Sequence, residues 1–278
     1  MKIILAESAG FCFGVTRATR MAFDAAEHYH QICSLGPIIH SPQLVRNLEE
    51  KGVQVIDRVE AIPDGAVIIR SHGVTAGELA AIHGRELKIV DATCPFVAKA
   101  QQYAAQLARE GYAVVLVGEA EHPEVQGIVS YAGEGEVFVV ADRDQAETLP
   151  RKSRIGVVAQ TTQSYENLRQ VAEVCLQKSK ELRVFNTICN ATAVRQNEAR
   201  AIAKEADLML VIGGFNSANT SRLAQICREI QSRTFHVETA DQIDPSWFSG
   251  VTTVGITAGA STPRWIIDEV LAKVDTCS

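Results

Sequence analysis

Apolar residues along the chain come in two textures. There are short unbroken runs of Ile, Val, Leu and Ala, and longer stretches in which apolar side chains return every third or fourth position. The runs have strand length and the stretches have helical periodicity, so the pattern predicts strands and helices in alternation. Three junctions share one form: an apolar run stops at a cysteine and a helical pattern starts directly behind it. Lys2-Ile-Ile-Leu-Ala leads to Cys12 and a helix over roughly 15 to 28, Lys88-Ile-Val-Asp to Cys94 and a helix over 95 to 110, and Arg183-Val-Phe to Cys189 and a helix over 193 to 205. In each case a glycine closing the next apolar run stands 24 residues after the cysteine, at Gly36, Gly118 and Gly213. Matched spacing in otherwise different segments marks a weak internal repeat of roughly 80 to 95 residues.

Further strands are expected over 31–35, 53–56, 66–70, 113–117, 137–140, 154–159, 207–212 and 252–256. Ser41 and Pro42 form a cap and first turn for a helix over 42 to 51, Pro123 starts another, and Thr262 or Ser261 is placed to cap the last one. Alternation at this spacing predicts an α/β fold with parallel sheets. The chain divides into three pseudo-threefold-related units, 1–94, 95–188 and 189–278, with Cys12 near the start of the first, Cys94 directly before the second and Cys189 opening the third, all three offered to a common centre.

Composition narrows the function classes. With 278 residues, 46% hydrophobic and 22% charged, the chain has ample length for a core and ordinary globular content. No apolar run reaches the roughly 18 residues of a membrane span and no signal pattern opens the chain, so a cytoplasmic protein with no membrane partner is expected. A net charge of -6 excludes nucleic-acid binding by bulk charge. Seven cysteines, an odd number, point to metal or catalytic use over a disulfide framework. Only three hold the repeated position; Cys33, Cys175, Cys227 and Cys277 are set aside as packing or incidental residues.

Ligands of such sheets sit beyond the carboxyl ends of the strands, where the remaining polar residues gather. His40, His122 and Ser217 each stand 28 residues after their cysteine, one position filled by two imidazoles and a hydroxyl. His72, Thr161 and Ser261 stand at the exit of each unit's last strand, a second set whose spacing drifts, and Thr162 follows Thr161. Helix starts with histidine, hydroxyl and amide donors, Asn219 among them, form an anion site, for which phosphate is the natural guest. No Gly-x-Gly-x-x-Gly and no Walker lysine loop is present, which disfavours a nucleotide. Glu124, a carboxylate beside His122 in this donor-rich setting, suits proton delivery. The three cysteines leave zinc, a disulfide relay and an iron-sulfur cluster open; zinc sites usually draw on local Cys-x-x-Cys pairs, absent here, while three thiolates suit a 4Fe-4S cluster with one open iron.

Gly10-Phe-Cys-Phe-Gly-Val-Thr-Arg-Ala, Arg70-Ser-His-Gly, Asp91-Ala-Thr-Cys-Pro, His122-Pro-Glu-Val, Gln160-Thr-Thr, Asn186-Thr-Ile-Cys-Asn-Ala-Thr-Ala-Val-Arg-Gln and Asn216-Ser-Ala-Asn-Thr-Ser-Arg-Leu resemble the 4-hydroxy-3-methylbut-2-enyl diphosphate reductase (LytB/IspH) family over essentially the whole chain. The resemblance implies a trefoil of three α/β units around a 4Fe-4S cluster ligated by Cys12, Cys94 and Cys189. It places the substrate diphosphate among His40, His72, His122, Ser217, Asn219 and Ser261, with Thr161 and Thr162 beside the substrate. It makes Glu124 the proton source, helped by Thr161 and His122. Where the family often has a serine between Ser217 and Asn219, this chain has Ala218. The reaction implied is reductive dehydroxylation to isopentenyl and dimethylallyl diphosphate, the last step of the methylerythritol phosphate route. With no flavin or nicotinamide motif in the chain, a ferredoxin or flavodoxin donor is implied. A 4Fe-4S hydro-lyase and a non-enzymatic iron-sulfur sensor are the alternatives, distinguished by turnover without an electron donor and by a silent Glu124→Gln.

Overall fold

In the computed structural model, which describes residues 1–277, twelve strands and ten α-helices alternate, except where the strand Ala66–Ile69 follows Val53–Ile56, and Thr253–Ala258 follows Thr234–Val237, with no α-helix between. In chain order they are β1 (Lys2–Leu5), α1 (Phe13–His28), β2 (Ile32–Leu35), α2 (Pro42–Glu50), β3 (Val53–Ile56), β4 (Ala66–Ile69), α3 (Ala76–His83) and β5 (Lys88–Asp91). There follow α4 (Pro95–Arg109), β6 (Ala113–Val117), α5 (Pro123–Tyr131), β7 (Val137–Val140), α6 (Arg143–Glu147), β8 (Lys152–Ala159), α7 (Tyr165–Lys178) and β9 (Ser179–Val184). The last are α8 (Asn190–Glu205), β10 (Leu208–Ile212), α9 (Ala218–Ile230), β11 (Thr234–Val237), β12 (Thr253–Ala258) and α10 (Arg264–Thr276).

All strand pairs are parallel and form three four-stranded sheets, ordered β3-β2-β4-β5, β7-β6-β8-β9 and β11-β10-β12-β1. The order is the same each time. The first strand is central, the second lies outside it, the third lies on its other side, and the fourth completes the edge beyond the third. In the third sheet that fourth place belongs to β1, from the opposite end of the chain. The chain accordingly forms two compact units: residues 1–16, 39–46 and 190–278 build around the third sheet, and residues 17–38 and 47–189 carry the other two.

Central strands read as continuous apolar runs because helices cover both faces. All five residues of β6 and all five of β10 are buried. Alternation within β10 divides its side chains: Leu208, Leu210 and Ile212 join α10 in one core cluster, while Met209 and Val211 join α8 and α9 in another. Each such fully buried side chain contributes roughly 1.5–3 kcal/mol. The fourth strands are partly exposed, as edge strands are.

Two local expectations are corrected. The last helix begins at Arg264 with Pro263 at its cap, so neither Ser261 nor Thr262 caps it. Thr262 Oγ1 instead donates to the carbonyl of Ile212 at 2.9 Å, which fixes the turn to the end of β10. Helix α3 was absent from the periodicity because its apolar residues do not form one stripe. Its signal is a capping box: Thr75 accepts from the Glu78 N–H at 3.1 Å while the Thr75 N–H donates to Glu78 at 2.7 Å. Among the described residues no helix is long and apolar enough to cross a membrane.

Candidate active site

Each repeated cysteine follows its sheet's fourth strand and is fixed by its own backbone. Cys12 N–H donates to Ala260 O at 3.2 Å, Cys94 N–H to Ser71 O at 2.9 Å and Cys189 N–H to Thr161 O at 3.1 Å. Those carbonyls lie two residues beyond the ends of β12, β4 and β8. The same registration shows which side chains match. His72, Thr162 and Ser261 each stand one residue past the tethering carbonyl, so Thr162, and not Thr161, is the counterpart of the other two. The apparent drift in spacing came from counting along loops of unequal length instead of from the strand ends.

The three thiols are partly exposed, while Cys33, Cys175 and Cys227 are buried. Burial pushes the Cys33 thiol up, the Cys175 thiol to about 11 and the Cys227 thiol to about 12, so those three are inert packing residues. Cysteines 12, 94 and 189 are followed at once by α1, α4 and α8, none of which has an acidic residue in its first turn. At Cys12 the Val15 N–H already points at the sulfur, 3.5 Å away. Helix starts free of carboxylates suit an anionic group, so the donor set fits a thiolate-bound metal group.

In the unit formed by residues 17–38 and 47–189, His72 and His122 meet edge to face with ring centroids 5.6 Å apart. His122 caps α5, its Nδ1 accepting the Glu124 N–H at 3.1 Å. That bond makes Nδ1 the acceptor, so the neutral ring carries its proton on Nε2 and offers a donor. Glu124, 2% exposed, accepts the Thr161 N–H at 2.6 Å on one oxygen and the Thr161 hydroxyl at 2.9 Å on the other. Burial pushes its carboxyl up to about 7, against the lowering effect of the two Thr161 bonds. A carboxyl poised there can hold a proton at neutral pH and surrender it. Thr161 is itself buried, while Thr162 is half-buried.

In the other unit, Ser217 caps α9, accepting the Thr220 N–H at 3.4 Å. Asn219 in the first turn is 6% exposed, yet its side-chain oxygen and nitrogen find no partner among the described residues. A buried amide with both atoms unmatched is costly unless something else binds it. Ser261 Oγ donates to His40 O at 3.2 Å, and the α-carbon of Gly214 lies so close to that carbonyl that a β-carbon would sit 3.0 Å from it. His40, Ser261 and the loop leading to Ser217 therefore converge, with Cys12 tethered one residue before Ser261.

Two guanidinium groups escaped the sequence reading. Arg17 in α1 donates to Thr93 O at 3.1 Å and Asp91 O at 3.3 Å, gripping the loop that carries Cys94. Arg195 in α8, 4% exposed, donates to Gly10 O at 2.5 Å and Ala191 O at 3.2 Å, gripping the loop that carries Cys12. A basic residue in the second turn of a helix behind a cysteine was the available signal.

A family model described as LytB protein matches residues 3–275. The 4-hydroxy-3-methylbut-2-enyl diphosphate reductase of Syntrophotalea carbinolica is 72% identical over 278 residues, covering 100% of both chains. That of Geobacter sulfurreducens is 61% identical over 274 residues, 99% of this chain and 97% of the relative. Among solved structures, an (E)-4-hydroxy-3-methyl-but-2-enyl diphosphate reductase described as the terminal enzyme of the non-mevalonate pathway superposes with a TM-score of 0.72 at 45% identity, covering 99% of each chain. The Plasmodium falciparum reductase gives 0.92 at 25% identity, covering 99% of this chain and 87% of that one.

Proposed function

The chain belongs to the LytB family, and from that premise we propose that it reduces 4-hydroxy-3-methylbut-2-enyl diphosphate to isopentenyl and dimethylallyl diphosphate. The carrying observation is Glu124: a buried carboxyl near neutral pKa, bonded twice to Thr161 and flanked by His122. The reaction takes one allylic alcohol, two electrons and two protons, and gives one alkenyl diphosphate and one water. The leaving hydroxyl needs a proton and so does the carbon left behind, which is the work of a protonated acid held out of water.

The family uses an iron-sulfur cluster. In this chain Cys12, Cys94 and Cys189 would hold it as a 4Fe-4S cluster. Bound there, it supplies single electrons and an open iron of Lewis-acid character. The protein's residues do the rest. His40, His72, His122, Thr162, Ser217, Asn219 and Ser261 bind the diphosphate. Support comes from the Nε2–H tautomer of His122 and the unmatched amide of Asn219. Thr161 orients the substrate hydroxyl and passes it the Glu124 proton. An external one-electron donor, a ferredoxin or flavodoxin, serves the reaction in the cytoplasm.

The test is an anaerobic single-turnover assay of iron-loaded protein with the hydroxymethylbutenyl diphosphate and a reduced viologen. Two electrons consumed per five-carbon diphosphate formed, lost in Glu124→Gln, is the expected outcome. Loaded protein that turns substrate over without reductant would be a hydro-lyase. Loaded protein that leaves substrate unchanged, with Glu124→Gln silent, would be a sensor.

A further inference from the structure

The loop from Gly213 to Ser217 carries the hydroxyl and leads the helix whose amide is unmatched. Its backbone is held from outside. His236 Nε2 lies 2.8 Å from Gly213 O, and since a carbonyl only accepts, the imidazole donates. Glu238 accepts the Phe215 N–H at 2.8 Å. Ser221 Oγ donates to Phe215 O at 3.1 Å, and the Ser217 N–H donates to Gly214 O at 3.0 Å. The Phe215 ring, 51% exposed, leans on the His236 ring at 4.6 Å between centroids. His236 lies in β11 and Glu238 directly follows it, so one strand end presents both groups to the loop. The Glu238 backbone is itself fixed, its N–H donating to Gln242 at 2.7 Å.

We propose that His236 and Glu238 are positioning residues for diphosphate binding: a latch that sets the 213–217 loop, and through it Ser217 and Asn219, without touching the ligand. The inference rests on the reading of Ser217 and Asn219 as diphosphate contacts. The latch matters because Gly214 must lie against the His40 carbonyl; swung out, the loop would carry Ser217 away from His40 and Ser261 together. The other unit uses the same device at the loop carrying His122, where Gln160 accepts the Glu119 N–H at 3.1 Å. A backbone N–H pinned by a side-chain oxygen thus recurs in two loops of different sequence, each time shortly before a candidate ligand, Ser217 or His122. Glu238 acts as an acceptor rather than as a charge, so the neutral amide of glutamine should replace it, while alanine should not.

The experiment compares iron-loaded wild type, Glu238→Ala, Glu238→Gln, His236→Leu and Ser217→Ala. The readouts are KM and kcat, competition by inorganic diphosphate, iron content and melting temperature. Glu238→Ala and His236→Leu should raise KM and weaken inorganic diphosphate competition by about tenfold each, the loss of one net hydrogen bond, with kcat within about twofold and iron content unchanged. Glu238→Gln should stay within about twofold of wild type. Unchanged KM in Glu238→Ala, a loss equal in Gln and Ala, or a loss confined to kcat or to melting temperature would overturn the latch. A wild type indifferent to inorganic diphosphate, with Ser217→Ala silent, would overturn the diphosphate reading beneath it.

Discussion

Glu124 sets the pH behaviour of this protein. A carboxyl with an ordinary value of 4.5 in the unfolded chain and about 7 when folded holds its proton in the native state across that interval. The native state then binds more protons than the unfolded one, so stability is fully present below about pH 4.5 and declines as pH rises through about 7. The loss amounts to roughly 3 kcal/mol for this group. Glu124→Gln should flatten that decline, visible in urea melts at pH 5 and pH 8, and should cut turnover by at least about a hundredfold. In the wild type, turnover should fall as pH rises through about 7, since only the protonated carboxyl donates. Asn219 makes the complementary case. Its buried amide has no partner among the described residues, so the similarly shaped Asn219→Leu should raise the melting temperature of substrate-free protein, by about 1–3 kcal/mol of stability, while weakening substrate binding. A melting temperature that falls would mean that the protein itself satisfies the amide.

At the scale of elements, each cysteine is placed by three things: the fourth strand before it, the helix behind it, and a carbonyl two residues past the third strand. The helices and the first two of these strands were legible because each leaves a periodicity in the sequence, and a shared 24-residue register tied the copies together; β9 (Ser179–Val184) is mostly polar and begins ahead of the run Arg183-Val-Phe read as the strand before Cys189. The carbonyl was not legible, since a backbone tether has no residue preference. That is why Thr161 was matched to His72 and Ser261 when the tether aligns Thr162 with them. The arginine clamps were only weakly marked, by a basic residue in the second turn behind a cysteine: Arg195 looks like an ordinary helical cation until its guanidinium is found buried against Gly10 O and Ala191 O. Such a group can be removed only by leaving carbonyls unmatched in a buried place. Arg195→Leu should therefore cost about 2–4 kcal/mol and lower iron retention on gel filtration, whereas exposed Lys204→Leu on the same helix should change neither. Iron retention equal to wild type in Arg195→Leu would show that Cys12 holds its position without the clamp.

At the scale of the whole chain, the three sheets share one strand order but not one chain order. In two of them the third strand is followed by a helix and then by the fourth strand: β4, α3, β5 and β8, α7, β9. In the third sheet β12 is followed by α10, and the fourth strand is β1. That sheet is the same device with its connection opened, which is why its first and last segments fall in one compact unit. The strand pairings Lys2 with Thr253 through Leu5 with Ile256 do the work that a covalent link does elsewhere. Moving the chain break should then be tolerated. A circular permutant that joins the end of α10 to Met1 through a short Gly/Ser linker, and opens the exposed segment between Tyr29 and His30, would run through three sheets in succession, each with its four strands contiguous. Closing one short loop and opening another changes chain entropy by only about 1 kcal/mol, so the permutant should melt within a few degrees of the wild type and bind the same iron. The stricter comparison is removal of residues 1–6 without permutation. It strips the edge from β12, uncovers Val254 and Ile256 beside the lost Ile3 and Leu5, and should leave that unit unfolded while the other sheets persist. If the truncated chain melts as the permutant does, β1 is an accessory and the fourfold sheet is not the unit of stability.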